Sequence, residues 1–255
     1  IAQEAEVPLI VDNTMATPWL CRPFEWGADL VVHSTTKFLS GQGNAMGGIV
    51  IDSGRFPWFG NAKYPSLSEP CPDYNGLTFA ETFGDMAFTL YSHAVSLRDL
   101  GCTQSPMNAW ITLNGVETLP LRMERHVENA QKVAGFLQQH PSVEWVSYAG
   151  LSSSPYYQLA QKYLQGKAGS VFTFGIRGGY ESGLRLLEKV ELFSHVSNIG
   201  DSRSLILHPA STTHRQLSDE QRLTAGAGPE VIRLSVGIES AEDLIADLEQ
   251  ALEGL

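Results

Sequence analysis

The sequence has few cysteines, few basic residues and no long uninterrupted apolar segment. Only three cysteines occur in the chain, Cys21, Cys71 and Cys102. Their odd number and wide spacing argue against a disulfide framework and against a C-x-x-C metal or redox motif. Because free thiols are typical of a reducing compartment, we expect a cytoplasmic protein.

Positive charge is also scarce. The chain has 17 Lys and Arg against 28 Asp and Glu, which gives a net charge of -11. A protein that binds nucleic acid needs a basic patch, and here the basic residues are few and scattered. No apolar run approaches the roughly 18 residues of a membrane span. We therefore expect neither nucleic acid nor a membrane as a partner. The 43% hydrophobic and 18% charged residues indicate an ordinary globular protein.

The first chemically informative feature is an apolar run that ends at a carboxylate. Residues 7–11, VPLIV, predict a short strand buried on both faces, and Asp12 follows at once. A second run, residues 30–32, leads through polar residues to Lys37. The segment between the runs is long enough for a crossover, so the two strands can be parallel.

Parallel strands of an open α/β sheet bind ligands at their carboxyl ends, so Asp12 and Lys37 are predicted to share a crevice. The connection after Lys37 is short, and the next strand, residues 48–51, should run antiparallel to the lysine strand. Ser34 and Thr36 flank the lysine with hydroxyls that could bind a phosphate. Taken alone, Asp12 could be a cap or turn residue and Lys37 a solvated surface amine. The spacing therefore leaves open whether the two residues form a ligand site or have these ordinary roles.

Several other motifs favour structural interpretations. The glycines of GQGNAMGG do not have G-x-G-x-x-G spacing and predict a tight turn rather than a dinucleotide loop. His208 and His214 are six residues apart, which does not place them on one helical face, so no metal site is predicted. We expect His33 to be a satisfied buried imidazole rather than a catalytic base.

The chain divides into three parts. Residues 1–110 carry the strand pair, then an irregular aromatic-rich stretch at residues 52–75 and a helical stretch at residues 78–100. Residues 111–140 contain a long linking helix, whose signal is strongest over residues 117–140. Residues 141–255 predict a small α+β domain with an antiparallel sheet, built from strand-like runs and a last helix. The helix spacing rests on Leu121, Val127, Ala130, Val133, Ala134 and Leu137. The strand-like runs are residues 143–146, 171–176 and 231–236, and a capping box of Ser240 and Asp243 begins the last helix.

Six segments together resemble a known family. They are VDNT, HSTTK, GQGNAMGG, LPLRMERHVENAQKVAGFL, LFSHVSNIGDSRSLILHPASTTH and IRLSVGIE. The chain resembles the Cys/Met-metabolism family of pyridoxal-phosphate (PLP) enzymes of fold type I over essentially its whole length. Within the family it is most similar to the branch that adds sulfide to O-acetyl-L-homoserine. This closer resemblance rests on three longer segments, IDSGRFPWFGN, SSPYYQLAQKYLQGKAGSVFTFGIRGGYESG and LSDEQRLTAGAGPEVIRLSVGIES.

The resemblance implies an α/β fold in two parts. Residues 1–110 would be the C-terminal half of the PLP-binding large domain, with a mostly parallel sheet and one antiparallel strand. Residues 141–255 would be the C-terminal α+β domain. Because the family's chains begin earlier, we expect that the N-terminal portion of the large domain is absent here. The phosphate-binding loop and the ring-stacking tyrosine would belong to that portion.

Site roles follow from the same resemblance. Lys37 would hold pyridoxal 5'-phosphate as a Schiff base and then serve as the base at the substrate's α-carbon. Asp12 would pair with the ring nitrogen, and Ser34 and Thr36 would help to bind the phosphate. An Arg in a strand usually faces solvent, but Arg233 would bind the substrate's α-carboxylate, supported by Asn198.

The resemblance implies γ-replacement of O-acetyl-L-homoserine by sulfide, which yields L-homocysteine and acetate in a homotetramer. Methionine γ-lyase and cystathionine γ-lyase or synthase chemistry share Asp12, Lys37 and Arg233, so these alternatives stay open. A second alternative is a catalytically silent truncated module that folds without a complete site.

Overall fold

The computed structural model describes all 255 residues, Ile1–Leu255, as an α/β structure with two separate sheets. The strands are β1 (Ile10–Asp12), β2 (Leu30–Ser34), β3 (Gly48–Asp52), β4 (Val143–Ser147), β5 (Val171–Ile176), β6 (Ser194–His195), β7 (Leu205–Leu207) and β8 (Val231–Ser235). The helices are α1 (Thr17–Leu20), α2 (Pro65–Ser68), α3 (Phe79–Phe83), α4 (Ala87–Tyr91), α5 (Arg98–Leu100), α6 (Pro106–Glu117), α7 (Leu119–Gln139), α8 (Tyr157–Tyr163), α9 (Gly179–Lys189), α10 (Asp219–Thr224) and α11 (Ala241–Leu252). None of these helices has the length and apolar character of a membrane span.

The first sheet has the order β1-β2-β3 and carries the predicted strand ends. β1 pairs with β2 in parallel, with Asp12 opposite Val32, and β2 pairs with β3 in antiparallel. Both predicted directions are confirmed. The reason is the length of each connection, since the loop after Lys37 is too short to return the chain to the other end of the sheet.

The prediction that the first strand is buried on both faces was wrong. Leu9 is 39% exposed and Ile10 57% exposed, and Ile49 and Val50 of β3 are exposed as well. β1 is an edge strand that pairs only with β2, and its exposed side chains contrast with the buried Leu30 and Val31 of β2. The apolar composition of these strands is that of a covered sheet, although the sheet in this chain is open.

The long helix α7 (Leu119–Gln139) joins the two sheets. Pro120 lies in its first turn, where its missing N–H costs nothing, and His140 adopts an extended conformation before Pro141. The first half of α7 packs through Met123 on Phe38, Leu39 and Leu20, and its second half contributes to the largest core. The predicted helix is confirmed. Leu121, one of the apolar residues whose spacing indicated the helix, is 72% exposed, and the first turn is buried through Leu119 and Met123 instead.

Between the first sheet and α7, the chain forms its own aromatic cluster. Phe56 and Trp58 are buried against Leu67 and Phe79, and the Trp58 and Phe88 rings stack with centroids 5.6 Å apart. The irregular stretch at residues 52–75 therefore fills a local core. The predicted helical stretch at residues 78–100 is confirmed as helical, although Gly84 divides it near its start.

The second sheet has the order β4-β5-β8-β7-β6, with β8 at its centre. The predicted antiparallel arrangement is confirmed for three of the four strand pairs, but β6 and β7 pair in parallel. The difference arises because residues 196–204 form a loop that returns the chain to the same end of the sheet. α7, α9 and α11 cover one face, and the largest core fills the space between, with Phe174, Ile232, Leu234, Leu244 and Leu248 fully buried.

The capping box predicted at the last helix was only half right. The Ser240 side chain accepts a hydrogen bond from the Asp243 N–H, as an N-cap should. The reciprocal bond is missing, since Asp243 has a shorter side chain than the Glu or Gln that completes such a box. A complete box is formed at α10 instead, where Ser218 and Gln221 bond each other's backbone N–H groups.

Candidate active site

Asp12 is the last residue of β1 and lies at the carboxyl end of the first sheet. Its Oδ1 accepts a hydrogen bond from the Thr14 N–H at 2.9 Å. Hydrogen bonds from the side chain and backbone of Thr14 hold the pKa of the Asp12 carboxyl below its usual range. Asp12 forms no salt bridge, so one carboxylate oxygen is free for a cationic or N–H partner at the open end of the strand.

Lys37 follows the neighbouring strand β2 in a short helical turn, Thr35–Leu39. The turn is interrupted at Lys37, whose φ and ψ of -89° and -131° are not helical. The next residues, Phe38 and Leu39, are buried in the core beside α7 and anchor the turn. The lysine itself is half-buried, and its Nζ donates a hydrogen bond to Oδ1 of Asn198. The amine is therefore directed toward a loop from the second half of the chain.

The two residues beside the lysine form different hydrogen bonds, Thr36 through its hydroxyl and Ser34 through its backbone N–H. Thr36 Oγ1 accepts a hydrogen bond from the Gly47 N–H at 3.1 Å and lies 3.3 Å from the Gly47 carbonyl oxygen. The Ser34 N–H donates to Thr14 Oγ1 at 2.8 Å, which ties the lysine strand to the Asp12 turn. The end of the glycine-rich segment is thus hydrogen-bonded to Thr36, and the segment itself bends at Gln42 and Gly43.

Arg233 lies in β8, the central strand of the second sheet. Ile232 and Leu234 on either side point into the core, so Arg233 points to the opposite face. Its Nη2 donates to the Asn198 carbonyl oxygen at 3.3 Å. Burial lowers the pKa of the guanidinium, and no carboxylate forms an ion pair with it. A half-buried cation without a counter-ion is a site for an anionic ligand.

The loop of residues 198–200 brings Lys37 and Arg233 together. Asn198 contacts the lysine amine through its side chain and the arginine through its backbone. The Gly200 N–H donates to Ser235 Oγ at 3.0 Å, on the same face of β8 as Arg233. Gly200 has φ of +74°, and a Cβ there would lie 2.8 Å from the Phe38 nitrogen and 3.0 Å from Lys37 Cβ. Only glycine permits this approach.

His33 differs from its prediction. It is buried as expected, but its Nδ1 has no hydrogen-bond partner, so the expectation of a satisfied imidazole was wrong. Burial lowers the pKa of His33, against a smaller opposite effect of Asp12. The ring is therefore neutral at pH 7.

The two histidines of HPASTTH have different surroundings. His208 is buried, with its Nε2 2.8 Å from the Pro229 carbonyl oxygen and its Nδ1 3.0 Å from Ser211 Oγ. His214 is half-buried and contacts Thr213. No group of three or more metal-ligating side chains is found in the structure.

Two residues at this site were not identified from the sequence. Thr14 holds both the Asp12 carboxylate and the lysine strand, and only its position two residues after Asp12 could have indicated an Asx-type turn. Arg122 of α7 donates to the carbonyl oxygens of the residues after Lys37. In the sequence, Arg122 could have been recognised as a polar residue on the buried face of an amphipathic helix.

Comparison with a family model gives a match over residues 1–253, to the family described as Cys/Met metabolism PLP-dependent enzyme. O-acetyl-L-homoserine sulfhydrylase from Leptospira meyeri is 51% identical over all of this chain, which covers 60% of that protein. O-acetyl-L-homoserine sulfhydrylase 1 from Thermus thermophilus is 50% identical over 98% of this chain and 60% of its own length. Homocysteine synthase from Schizosaccharomyces pombe is 46% identical over 99% of this chain and 59% of its own length.

The fold is also similar to a solved structure. The crystal structure of an O-acetylhomoserine (thiol)-lyase from Campylobacter jejuni superimposes with a TM-score of 0.95 at 43% sequence identity. It covers 99% of this chain, which spans 60% of the solved chain, and it contains N'-pyridoxyl-lysine-5'-monophosphate. This chain therefore spans about three fifths of the length of the relatives that it matches.

Proposed function

Because this chain belongs to the Cys/Met-metabolism family of PLP-dependent enzymes, we propose that it is part of an enzyme that joins O-acetyl-L-homoserine and sulfide. The products are L-homocysteine and acetate. Relatives named for O-acetylhomoserine sulfhydrylation or homocysteine synthesis, 46 to 51% identical over nearly the whole chain, support this choice of substrate.

One observation carries the proposal. The half-buried Arg233 guanidinium has no counter-ion, and Asn198 connects it to the Lys37 amine. A planar guanidinium binds a carboxylate through two parallel hydrogen bonds. An α-amino acid bound by its carboxylate at Arg233 would place its α-carbon on the side of Lys37. The pair thus suits an amino-acid substrate.

The residues present suit the family's cofactor. Lys37 would hold PLP covalently through its amine, Asp12 would face the ring nitrogen, and Ser34 and Thr36 would contribute to the phosphate site. The Asp12 carboxylate is ionised and unpaired, as a partner of a protonated ring nitrogen must be. Thr36 would exchange its weak 3.3 Å contact with the Gly47 carbonyl for a phosphate oxygen. When bound, PLP supplies an electron sink for the bond broken at the substrate's α-carbon.

The chain's own residues then have separate tasks. Arg233 binds and orients the carboxylate, and the Asn198 amide lies between that carboxylate and the lysine. The Lys37 amine accepts the α-proton and returns protons on the same face of the substrate. Asp12 keeps its negative charge throughout, because the Thr14 hydrogen bonds stabilise the ionised form.

We also propose that the site is completed by a segment equivalent to the N-terminal part of the relatives. The open edge of β1, the exposed Ile10 and Val50, and the exposed Asp12 carboxylate support this proposal. A sheet with apolar residues on an uncovered face normally packs against a further layer.

The assembled protein is proposed to be a homotetramer in the cytoplasm. The exposed Met107, Trp110 and Leu113 of α6 support association, since these side chains lie along one helix and contact no core. The three free cysteines suit a reducing compartment. Light scattering of the complete protein would give its mass in solution.

Cofactor binding is tested with Lys37→Ala in the complete protein. We expect the wild-type protein to bind PLP with visible absorption, and borohydride reduction to fix the cofactor on the peptide that contains Lys37. Lys37→Ala should lose both signals. Lys132→Ala, a surface variant of α7, is the control and should retain them. If the wild-type protein shows no reducible lysine adduct, the proposal is wrong.

Product analysis decides the reaction. With O-acetyl-L-homoserine and sulfide we expect homocysteine and acetate, and with methionine alone no volatile thiol. Thiol release from methionine would instead indicate γ-lyase chemistry, and cystathionine formation from added cysteine would indicate a cystathionine synthase. The 255-residue chain alone should be inactive if the completing segment is required.

A further inference from the structure

Three polar residues interrupt the buried face of α7. Arg122, His126 and Asn129 are spaced at i, i+4 and i+7, so they lie on one side of the helix, next to the buried Met123 and Ala130. His126 and Asn129 are fully buried. We call these three residues the polar seam. Polar groups are costly on a buried face unless they are hydrogen-bonded, so the partners of the polar seam show what it holds.

Arg122 holds the segment that follows Lys37. Its Nη1 donates to the Phe38 carbonyl oxygen at 2.9 Å, and its Nη2 donates to Gly115 at 2.7 Å and to Leu39 at 3.4 Å. A Cβ on Gly41 would lie 2.3 Å from Arg122 Nη1. Its acceptors are neutral and no carboxylate forms an ion pair with it, so its hydrogen bonds fix backbone and neutralise no charge.

His126 and Asn129 hold the segment that follows Arg233. The His126 Nδ1–H donates to the Val236 carbonyl oxygen at 2.7 Å, three residues after Arg233. Asn129 Nδ2 donates to the carbonyl oxygens of Gly237 at 3.0 Å and Glu239 at 2.9 Å. The His126 ring also packs edge-on against Phe38, with centroids 5.2 Å apart. One rigid helix thus contacts the lysine turn and the end of the arginine strand.

We propose that the polar seam positions the Lys37 amine relative to the Arg233 guanidinium. This inference rests on the proposed function, in which the substrate spans these two groups. Arg122 is the positioning residue on the lysine side, and Asn129 is the positioning residue on the arginine side. Neither touches the amine or the guanidinium, so each acts through the backbone. Misplacement of a reacting group by about 1 Å can cost about 100-fold in rate.

The first test needs no cofactor. Hydrogen exchange of the protein without PLP is compared in wild type, Arg122→Gln, Asn129→Ser and the control Arg125→Gln, whose side chain is exposed on the same helix. We expect Arg122→Gln to speed exchange at the Ser40 and Gly41 amides, which close the lysine turn. Asn129→Ser should speed exchange in residues 231–238 instead. Equal acceleration in both segments, or none in either, would overturn the proposal.

The second test uses the PLP-loaded complete protein. Arg122→Gln should lower kcat by about tenfold to 100-fold with KM for the amino acid changed less than about threefold. It should also shift the pH titration of the lysine-bound cofactor's visible absorption. Asn129→Ser should mainly raise KM. Arg122→Lys should recover part of kcat, because an ammonium can still donate to the Phe38 carbonyl.

Two outcomes separate failures of different origin. If the wild-type protein binds no cofactor at Lys37, the proposed function is wrong, while hydrogen exchange still decides whether the polar seam holds the two segments separately. The polar seam would be only structural if the wild-type protein is active and both variants show the same fall in kcat and the same change in KM, in proportion to their fall in Tm. In that case the absorption titration would also stay unchanged.

Discussion

Arg233 shows how a single buried cation can indicate a ligand. The strand context alone favours a solvent-facing arginine, because alternate residues of β8 face the core. The structure instead leaves the guanidinium half-buried against the Asn198 carbonyl, with no acid nearby. Desolvation without a counter-ion costs free energy, which a bound carboxylate would recover.

Replacing Arg233 by alanine should therefore impair substrate binding more than folding. We expect Arg233→Ala to weaken binding of the amino acid by about 2 to 5 kcal/mol, as when one partner of a buried charge pair is removed. Its Tm should stay equal to or exceed that of wild type, since an unpaired half-buried charge is lost. Calorimetric titration with a non-reactive carboxylate analogue and thermal unfolding measure the two quantities.

Arg185→Ala, on the exposed side of α9, is the matched control and should leave both quantities unchanged. An unaltered affinity in Arg233→Ala would place the carboxylate elsewhere.

At the level of single residues, the sequence predicted correctly those site residues whose placement depends only on neighbouring residues in the chain. Asp12 and Lys37 could be placed because each follows directly from a recognisable strand. The contact of Asn198 with Lys37 joins residues far apart in the chain, and spacing gives no information on such a contact. Arg122 was missed for the same reason, because the acceptors of its guanidinium belong to a segment distant in sequence.

Among the elements, α11 shows how much of a helix start can be predicted. Ser240 acts as the N-cap, but Asp243 offers only its backbone N–H. The Ser240 hydroxyl also donates to Glu242 Oε2 at 3.1 Å. The apolar face of α11 is fully buried against the second sheet through Leu244 and Leu248, so fraying of the first turn would disturb the largest core.

These contacts predict unequal effects for the two residues of the supposed box. Ser240→Ala should lower the free energy of unfolding by about 1 kcal/mol, the usual cost of losing an N-cap. Asp243→Ala should cost less than about 0.5 kcal/mol, because only a weak charge interaction with the helix dipole is lost. Urea unfolding measures both. Ser240→Asn, which preserves a capping oxygen, is the control, and a larger effect at Asp243 would contradict the structure.

The directions of the first three strands followed from loop lengths, and α7 followed from its periodicity. The parallel pairing of β6 and β7 did not, since β6 has only two residues and no hydrophobic pattern of its own. Burial of β1 was predicted wrongly. An apolar composition shows that a strand is suited to a covered sheet, but it does not show whether residues of this chain pack over it.

For the whole molecule, the titratable groups that matter for stability are three buried histidines whose burial favours the neutral ring. Burial lowers the pKa of His126 to about 4, and it also lowers the pKa of His33 and His208. His33 belongs to the first sheet, His208 follows β7 in the second, and His126 lies on the helix between them. Protonation of any of the three favours the unfolded chain, in which imidazole has its ordinary pKa of about 6.5.

Stability should therefore fall as pH decreases from about 6.5 toward 4. In this range the unfolded chain binds more protons than the folded chain, so the free energy of unfolding rises with pH. His126 alone should account for about 2 to 3 kcal/mol between pH 7 and pH 4.5. In His126→Asn the amide nitrogen can replace Nδ1 as donor to Val236 but does not titrate. This variant should be less stable at pH 7 and show a shallower loss of stability on acidification.

Urea unfolding at closely spaced pH values measures this slope, and the exposed His195→Asn serves as the control with the wild-type slope. Acidic side chains such as Asp12 have lowered pKa values and lose their contribution only below about pH 4, outside the interval compared. The histidine effect is thus separable from general acid denaturation. A His126→Asn variant with the wild-type slope would show that this imidazole is protonated, or exposed, in the folded protein.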